Sequence, residues 1–189
     1  MFYMSLLLYN CRISNGVPML DNPLQKIRSI ADYQFGRGTG KTLFPDNVDI
    51  SFSQRTGRIR HIYLNGKLLA TLRPTDGLFS LTLESTHRIM RIKPLRLWVK
   101  VQDDAADFIA KGRSVFAKHV VDCDREIRPE EEVVVIDSQR KILAIGRALL
   151  TGEEMKAFKH GVAVRVRRGV AEKKGKVKKE KQENNVWSE

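Results

Sequence analysis

The sequence predicts an α+β, β-rich protein in which a small helix-plus-antiparallel-sheet domain precedes a small barrel. Three observations support this prediction. A single amphipathic helical pattern is followed by three short β-rich runs, a proline at position 94 interrupts the chain, and five further β-rich runs then surround one brief helical segment. With 189 residues, the chain is long enough for two such domains.

The first predicted element is a helix over residues 23 to 35. Pro23 follows Asp21-Asn22 and suits a first helical turn. The apolar residues that share one face of this helix are Leu24, Ile27, Ile30 and Ala31. The glycine-rich stretch that begins at Gly36 ends the pattern, and we expect a turn there.

Three strands are predicted next, over residues 58–64, 67–72 and 78–83. Asn65-Gly66 separates the first two runs, and this dipeptide is typical of a type I′ hairpin because both turn positions need a positive φ. In the third run, Phe79, Leu81 and Leu83 alternate with polar residues and should face a core.

The second domain is predicted to begin at Lys93-Pro94 and to form the barrel. Its one helix, residues 103 to 111, has an acidic first turn that suits the helix dipole, and Gly112 stands where a C-terminal cap is needed. The regular spacing of its turns favours a small closed barrel over an open sheet. The predicted strands are 95–101, 114–120, 131–137, 141–150 and 162–167.

The charge of the chain points to a polyanionic partner. Lys and Arg number 34 against 22 Asp and Glu, for a net charge of +12. Residues 1–93 hold 13 basic and 6 acidic side chains, whereas residues 94–171 hold 15 and 12. Most of the excess therefore lies in the first half. With two cysteines, Cys11 and Cys123, no disulfide framework is possible, and a cytoplasmic location is expected.

The two ends differ in composition from the rest of the chain. Residues 1–20 are expected to be an N-terminal extension, and whether they belong to the native protein or reflect the choice of start site stays open. Their opening apolar run of about nine residues is too short to span a bilayer, so no membrane role is expected. Residues 171–189 mix charges with almost no apolar side chains and are predicted to be a disordered basic tail.

Neither a nucleotide site nor a catalytic or metal site is expected. The segment GRGTGKT resembles a phosphate-binding loop, but it is one residue short and follows a helix instead of a strand. No histidine or cysteine pair has metal-ligand spacing. Ser114, His119 and Asp122 lie on one predicted strand and its exit, where a triad cannot easily converge. No cofactor is predicted.

A basic edge of the second domain is the better candidate for function. The junction Gly112-Arg113-Ser114 is expected to leave backbone amides open for a phosphate or sugar, with Phe116 and Lys118 on the same strand face as Ser114. The last strand places Arg165 and Arg167 on one face. In the first domain Arg58 and Arg60 should point outward together. A merely solvated strand would show the same pattern, and that reading stays open.

The sequence also resembles a known family. The order GRSVFAK (112–118), IRP (127–129) and AIGRA (144–148) resembles a PUA domain, an RNA-binding barrel. The preceding residues resemble the domain before PUA at the C-terminus of archaeosine tRNA-guanine transglycosylase and related archaeosine synthases. The segments that carry this second likeness are ADYQFGRGTGKTLFP, RTGRIRHIY, LLATLRPTDGLFSLTLE and HRI. The resemblance runs from Leu24 to Gly169 and places the domains at 21–93 and 94–170.

The resemblance implies a noncatalytic RNA-binding protein. It would bind tRNA, with the PUA barrel reaching the 3′ end, and act alone or as a detached subunit of a separate tRNA-modification enzyme. The sequence has no counterpart of the transglycosylase's catalytic aspartates or zinc cysteines, so that activity is not implied. The residues expected to bind RNA are Gly112, Arg113, Ser114, Phe116, Lys118, Arg165, Arg167, Arg58 and Arg60.

Two other functions remain open at this point. The chain could itself modify tRNA with a site between its domains, or it could serve as a scaffold on the ribosome or rRNA.

One departure from the family pattern is Glu130, which stands where a glycine usually follows Arg-Pro. A type I turn would tolerate this glutamate.

Overall fold

A computed structural model describes residues 22–172. The predicted extension over residues 1–20, and the predicted tail beyond Glu172, lie outside the described residues. The hydrogen bonds of the barrel continue two residues into the segment predicted as tail, because Ala171 N donates to Ala110 O at 2.9 Å and Glu172 N donates to Gly169 O at 3.3 Å.

The first domain is a four-stranded antiparallel sheet, in the order β1-β2-β3-β4, covered by helices. The predicted first helix and the Asn-Gly hairpin are confirmed, with φ of 50° at Asn65 and 74° at Gly66. The elements are α1 Pro23–Phe35, α2 Thr39–Leu43, β1 Asp49–Phe52, β2 Ile59–Leu64, β3 Lys67–Leu72, β4 Phe79–Leu81 and α3 Leu83–Ile89.

Helix α1 forms where the sequence supplies both a cap and an apolar stripe. The side chain of Asn22 accepts hydrogen bonds from the amides of Leu24 and Gln25, which would otherwise be unpaired at the helix start. Ile27 and Ala31 of the stripe are buried, and Leu24 and Ile30 are partly buried. The core beneath the helix includes Phe44 and Phe79, whose rings meet edge to face at 5.0 Å.

Three elements of the first domain were not predicted, namely α2, β1 and α3. The third predicted strand ends at Leu81 because Thr82 caps α3: its hydroxyl accepts from Ser85 N, and Ser85 Oγ accepts from Thr82 N. Leu83 therefore lies in a helix, and the prediction that it extends the strand face was wrong.

The glycine-rich stretch forms helix α2 instead of the predicted turn. Gly40 lies so close to the backbone of Arg28 that a Cβ atom would have no room. Its amide donates to Asp32 Oδ1 at 2.6 Å. Because this amide already donates to a carboxylate, it is not available to a phosphate, and the geometry gives no support for a phosphate-binding loop.

The second domain is a nearly closed barrel, as predicted. One mixed sheet runs in the order β6-β10-β9-β8-β5-β7, and only β5 and β8 are parallel. The two edge strands follow each other in the chain, so the sheet curls until its edges approach. The elements are β5 Trp98–Val101, α4 Asp103–Ala110, β6 Val115–Phe116, a 3₁₀ turn Ala117–His119, β7 Val120–Cys123, β8 Glu132–Ile136, β9 Ile142–Ala148, α5 Gly152–Ala157 and β10 Val162–Gly169.

Two predictions for the barrel were wrong. The run 114–120 is not one strand, since the chain leaves β10 at Phe116 and must turn before pairing with β5 at Val120. A second helix, α5, was missed, although Thr151 and Glu154 form a capping box at its start.

Glu130 does not lie in the conformation that the sequence suggested. Its φ is 71°, in the left-handed region that favours glycine, so the glycine usual in the family has a steric reason. Its carboxylate lies 2.7 Å from Arg147 Nη1 in an exposed ion pair, which offsets part of the strain.

No helix within residues 22–172 is long and apolar enough to cross a membrane.

Candidate nucleic-acid interface

The junction between α4 and β6 is closed by its own hydrogen bonds. Gly112 has a φ of 91°, and its amide donates to Ile109 O at 2.9 Å. The amide of Arg113 donates to Phe108 O at 3.1 Å, which completes a Schellman cap. The expectation that these two amides are open for a phosphate was therefore wrong, and the binding capacity of the junction lies in its side chains.

The same junction runs alongside β10. Val115 pairs with Val164, and the antiparallel register continued by one residue brings Ser114 opposite Arg165. Further along, Gly169 approaches Ala110 O and Gly112 N too closely for any side chain. The structure thus brings Gly112, Arg113 and Ser114 beside the arginine-bearing strand.

Several side chains on this edge are exposed and uncommitted. Arg113 and Arg165 are exposed and form no ion pair with any residue between 22 and 172. Phe116 is 46% exposed on the edge strand β6. We call the edge formed by residues 112–116 and Arg165 the barrel lip.

Lys118 does not share a strand face with Ser114 and Phe116. It lies in the 3₁₀ turn Ala117–His119, whose geometry breaks the two-residue alternation on which the expectation depended. Its side chain is exposed beyond the end of β6, so it extends the barrel lip without belonging to the strand face.

Arg167 has a different role from Arg165. The register of β10 against β9 shifts between Val166 and Arg168, so Arg167 is the extra residue of a β-bulge and the alternation from Arg165 is lost. Its Nη2 atom donates to Glu132 Oε1 in the barrel and to Leu81 O in the first domain. The same Glu132 oxygen accepts from Leu81 N at 3.1 Å.

Arg167, Glu132 and Leu81 thus connect the two domains by hydrogen bonds, and we call these three residues the latch. Glu132 is a buried carboxylate with a side chain only 1% exposed, and this burial raises its pKa, an effect that Arg167 opposes. Sequence reasoning missed Glu132 because it ends a run of three glutamates that looks solvated. Its partners lie 35 and 51 positions away, so no local pattern reveals them.

Arg58 and Arg60 are both exposed, but a bulge separates them as well. Ser51 pairs with His61 and Phe52 with Ile59, so Arg60 is the extra residue on β2, and the predicted alternation does not hold across it. Arg60 lines a groove between the domains, whereas Arg58 does not. Sequence reasoning missed a further arginine of this groove, Arg73.

A second cavity, of about 650 Å³, also lies between the domains, where the sequence left open a catalytic site. Two of its three carboxylates are engaged: Glu126 lies 2.6 Å from Arg96 Nη2, and Glu131 accepts from the amide of Arg128. The third, Glu153, lies in the first turn of α5, where a negative charge suits the helix dipole. This arrangement suits a structural role better than acid-base chemistry.

Metal and nucleophile chemistry find no support in the described part of the chain. Residues 22–172 contain no group of three or more His, Cys, Asp or Glu side chains that could hold a metal ion. A hydrogen bond from Lys156 holds the pKa of Asp122 below its usual range, and Cys123 is buried and donates to Gly152 O. Burial raises the pKa of this thiol, which opposes nucleophilic use.

Comparison with protein families matches both halves of the chain. Residues 25–95 match the patch-forming domain C2 of tRNA-guanine transglycosylase, and residues 98–170 match the PUA domain. The two matches include every residue of the barrel lip and the latch.

Similar proteins fall in the same group. A tRNA-guanine(15) transglycosylase of Methanothermobacter thermautotrophicus is 44% identical over 147 residues, which is 77% of this chain but 22% of that enzyme. The corresponding enzyme of Thermococcus kodakarensis is 46% identical over 145 residues, with 76% of this chain and 25% of the enzyme covered. The chain thus spans about a quarter or less of these relatives.

Solved structures share the fold. A hypothetical protein from Pyrococcus horikoshii superposes with a TM-score of 0.64 at 24% identity, covering 79% of this chain and 91% of the other. A conserved PUA domain protein from Thermoplasma acidophilum gives 0.56 at 19% identity, covering 79% and 92%. By the two family matches, residues 25–95 belong to the C2 domain family and residues 98–170 to the PUA domain family, and together they resemble the C-terminal C2-plus-PUA region of archaeal tRNA-guanine transglycosylases.

Proposed function

We propose that this chain is a noncatalytic RNA-binding protein that binds tRNA, acting alone or as a detached subunit of a tRNA-modification enzyme. One observation supports this proposal above the others. The barrel lip of a PUA domain presents exposed, uncommitted cations beside an exposed aromatic ring, and the relatives that share this region are tRNA-guanine(15) transglycosylases.

The chemistry of the barrel lip suits an RNA end. Arg113 precedes β6 and Arg165 lies on the neighbouring strand β10, so both can contact the phosphates of one RNA strand and displace its condensed counterions. Phe116 offers a face for an unstacked base, which is how single-stranded RNA ends are commonly held. Lys118 continues the positive charge past the end of β6.

The proposal is tested by reversing one charge on the lip. Arg113→Glu is expected to weaken binding of a tRNA transcript by about tenfold or more, since a repulsion replaces a charge-assisted contact. The slope of log affinity against log salt should also fall by about one. Fluorescence anisotropy over a salt series measures both quantities.

A matched control is Lys141→Glu, the same charge reversal at the exposed turn between β8 and β9. That turn lies at the other end of α4, since Ser138 N and Oγ donate to Asp103 at the start of this helix. Binding by the control should stay within about twofold of the original protein. Equal losses for the two variants, or salt-independent binding, would reject the proposed role of the lip. Preferential binding of rRNA fragments would reject tRNA as the partner.

A further inference from the structure

The groove that Arg60 lines lies where the described part of the chain ends. Its volume is about 860 Å³, within the range of ligand-binding clefts. Strands β2, β3 and β4 form one wall, and Ile145 with the end of β10 forms the other. Glu172, the last described residue, is part of that second wall. The chain therefore continues directly from the groove.

The lining of this groove keeps apolar surface accessible. Its accessible apolar side chains include those of Leu68, Pro74, Leu83 and Val170. Val170 is 42% exposed, although it is an aliphatic residue at the end of a strand. The groove is therefore suited to a ligand with an apolar or aromatic group.

The lining also contains one uncommitted cation. Every other charged side chain of the lining lies within 4 Å of an opposite charge, and the pairs are Arg73 with Asp76, Arg167 with Glu132, Arg168 with Glu172, and Glu84 with Lys67. Arg60 forms no ion pair with any described residue. A ligand that places a carboxylate beside its apolar group would therefore complement the groove.

The chain beyond Glu172 contains a segment with this chemistry. Residues 173–182 hold six lysines and one glutamate, whereas residues 183–189, ENNVWSE, hold two glutamates and neither lysine nor arginine. Within the second segment, Trp187 offers a large apolar ring and Glu189 offers a carboxylate two positions later. The segment thus matches both features of the groove.

The segment is also long enough to reach the groove. Trp187 follows Glu172 by 15 positions, which span at most about 50 Å when fully extended. Because Glu172 itself lines the groove, the chain needs only part of this length to return. A tether of this length gives an effective concentration on the order of 1 mM, so weak contacts are sufficient for docking.

We infer that residues 183–189 dock in this groove of the same molecule. Trp187 packs against the apolar side chains of the lining, and Glu189 pairs with Arg60. The inference does not depend on the proposed function, because the ligand is part of the chain itself. Any other anion that uses Arg60, RNA included, must then displace this segment.

The two tryptophans of the chain allow a direct test on the full-length protein. Trp98→Phe leaves Trp187 as the only tryptophan. Docking should shift its emission to shorter wavelength than in a free peptide of residues 183–189. Acrylamide quenching should be about twofold or more weaker than in the peptide, since a tether near 1 mM keeps at least half of the molecules docked when the intrinsic Kd is 1 mM or lower. If circular dichroism shows that Trp98→Phe unfolds, ¹⁹F NMR of the original sequence labelled with 5-fluorotryptophan separates the two indoles instead.

Charge reversal in the groove should release the segment. In the Trp98→Phe background, Arg60→Glu should raise the quenching of Trp187 to the level of the free peptide. Arg58→Glu is the matched control, because it reverses an exposed charge outside the groove, and it should leave quenching unchanged. Adding Glu189→Lys to Arg60→Glu restores opposite charges and should restore the protection of Trp187. This rescue separates a direct contact from a general loss of structure.

Three results would overturn the inference. Trp187 could be quenched as readily as the free peptide in the full chain, which would show that the segment is not docked. Protection that survives Arg60→Glu would show that the segment contacts another part of the chain, such as the lysines of residues 173–182. Protection that rises with protein concentration would show that the segment binds a second copy. None of these results bears on tRNA binding by the barrel lip, which Arg113→Glu tests separately.

Discussion

Removing Arg167 is expected to destabilise the folded chain by breaking the latch. In Arg167→Met the buried carboxylate of Glu132 keeps only the hydrogen bond from Leu81 N, and Leu81 O loses its donor. Loss of one partner of a fully buried ion pair costs about 3–5 kcal/mol. Because the Arg167 side chain is 43% exposed, water can replace part of the interaction, and we expect a cost of about 2–3 kcal/mol at pH 7.

The cost should depend on pH in a defined direction. Burial raises the pKa of Glu132 above its ordinary value of 4.5, so the folded state binds the proton of this carboxyl group more tightly than the unfolded state does. The stabilisation from this proton is fully present below pH 4.5 and is lost as the pH rises through the folded pKa. Arg167→Met raises that pKa further, so its destabilisation should be smaller at pH 5 than at pH 8.

Urea unfolding of the full chain, followed by tryptophan fluorescence to which Trp98 in β5 contributes, measures these free energies. A double-mutant cycle with Glu132→Gln isolates the pair, and we expect a coupling of about 2 kcal/mol. Arg165→Met serves as the control, because this exposed neighbour has no ion pair among the described residues, and it should change stability by less than about 0.5 kcal/mol. A coupling as small as that of a surface pair, or destabilisation that grows toward acid pH, would refute the reasoning.

Two further predictions concern backbone conformation and can be checked with the same unfolding assay. Gly40→Ala should cost about 2–3 kcal/mol because its Cβ would strike the backbone of Arg28, whereas Gly38→Ala meets no atom within 4 Å and should cost only the strain of its φ of 86°, about 1 kcal/mol. Equal costs would mean that the close approach at Gly40 is unimportant. Glu130→Gly should be more stable than Glu130→Ala by about 1 kcal/mol, since both lose the ion pair to Arg147 and only glycine relieves the φ of 71°.

Local signals in the sequence predicted much of the fold. Asn22 and Pro23 mark the start of α1, and Asn65-Gly66 marks the hairpin, because each of these features depends on residues that are neighbours in the chain. The capping boxes at Thr82 and Thr151 were also readable, yet each opens a helix of only six or seven residues, too short for a periodic pattern.

The candidate site was less predictable because its geometry depends on bulges and long-range contacts. Alternation predicted shared faces for Arg58 with Arg60 and for Arg165 with Arg167, but a bulge falls at Arg60 and at Arg167. A bulge is imposed by the partner strand, so the sequence of one strand does not show it.

The availability of each cation for RNA therefore depends on what its side chain already contacts. Arg167 neutralises a buried carboxylate and has little charge left for RNA, although its removal would still disturb binding by releasing the domains. Arg113 and Arg165 remain free on the barrel lip, and Arg60 remains free in the groove. Both domains line the groove and the latch connects them, so we expect the latch to fix the distance between the lip and Arg60. A rigid spacing of this kind favours an RNA strand of matching shape over other polyanions. The reason is that the entropy cost of ordering the two domains arises when the protein folds and not when it binds.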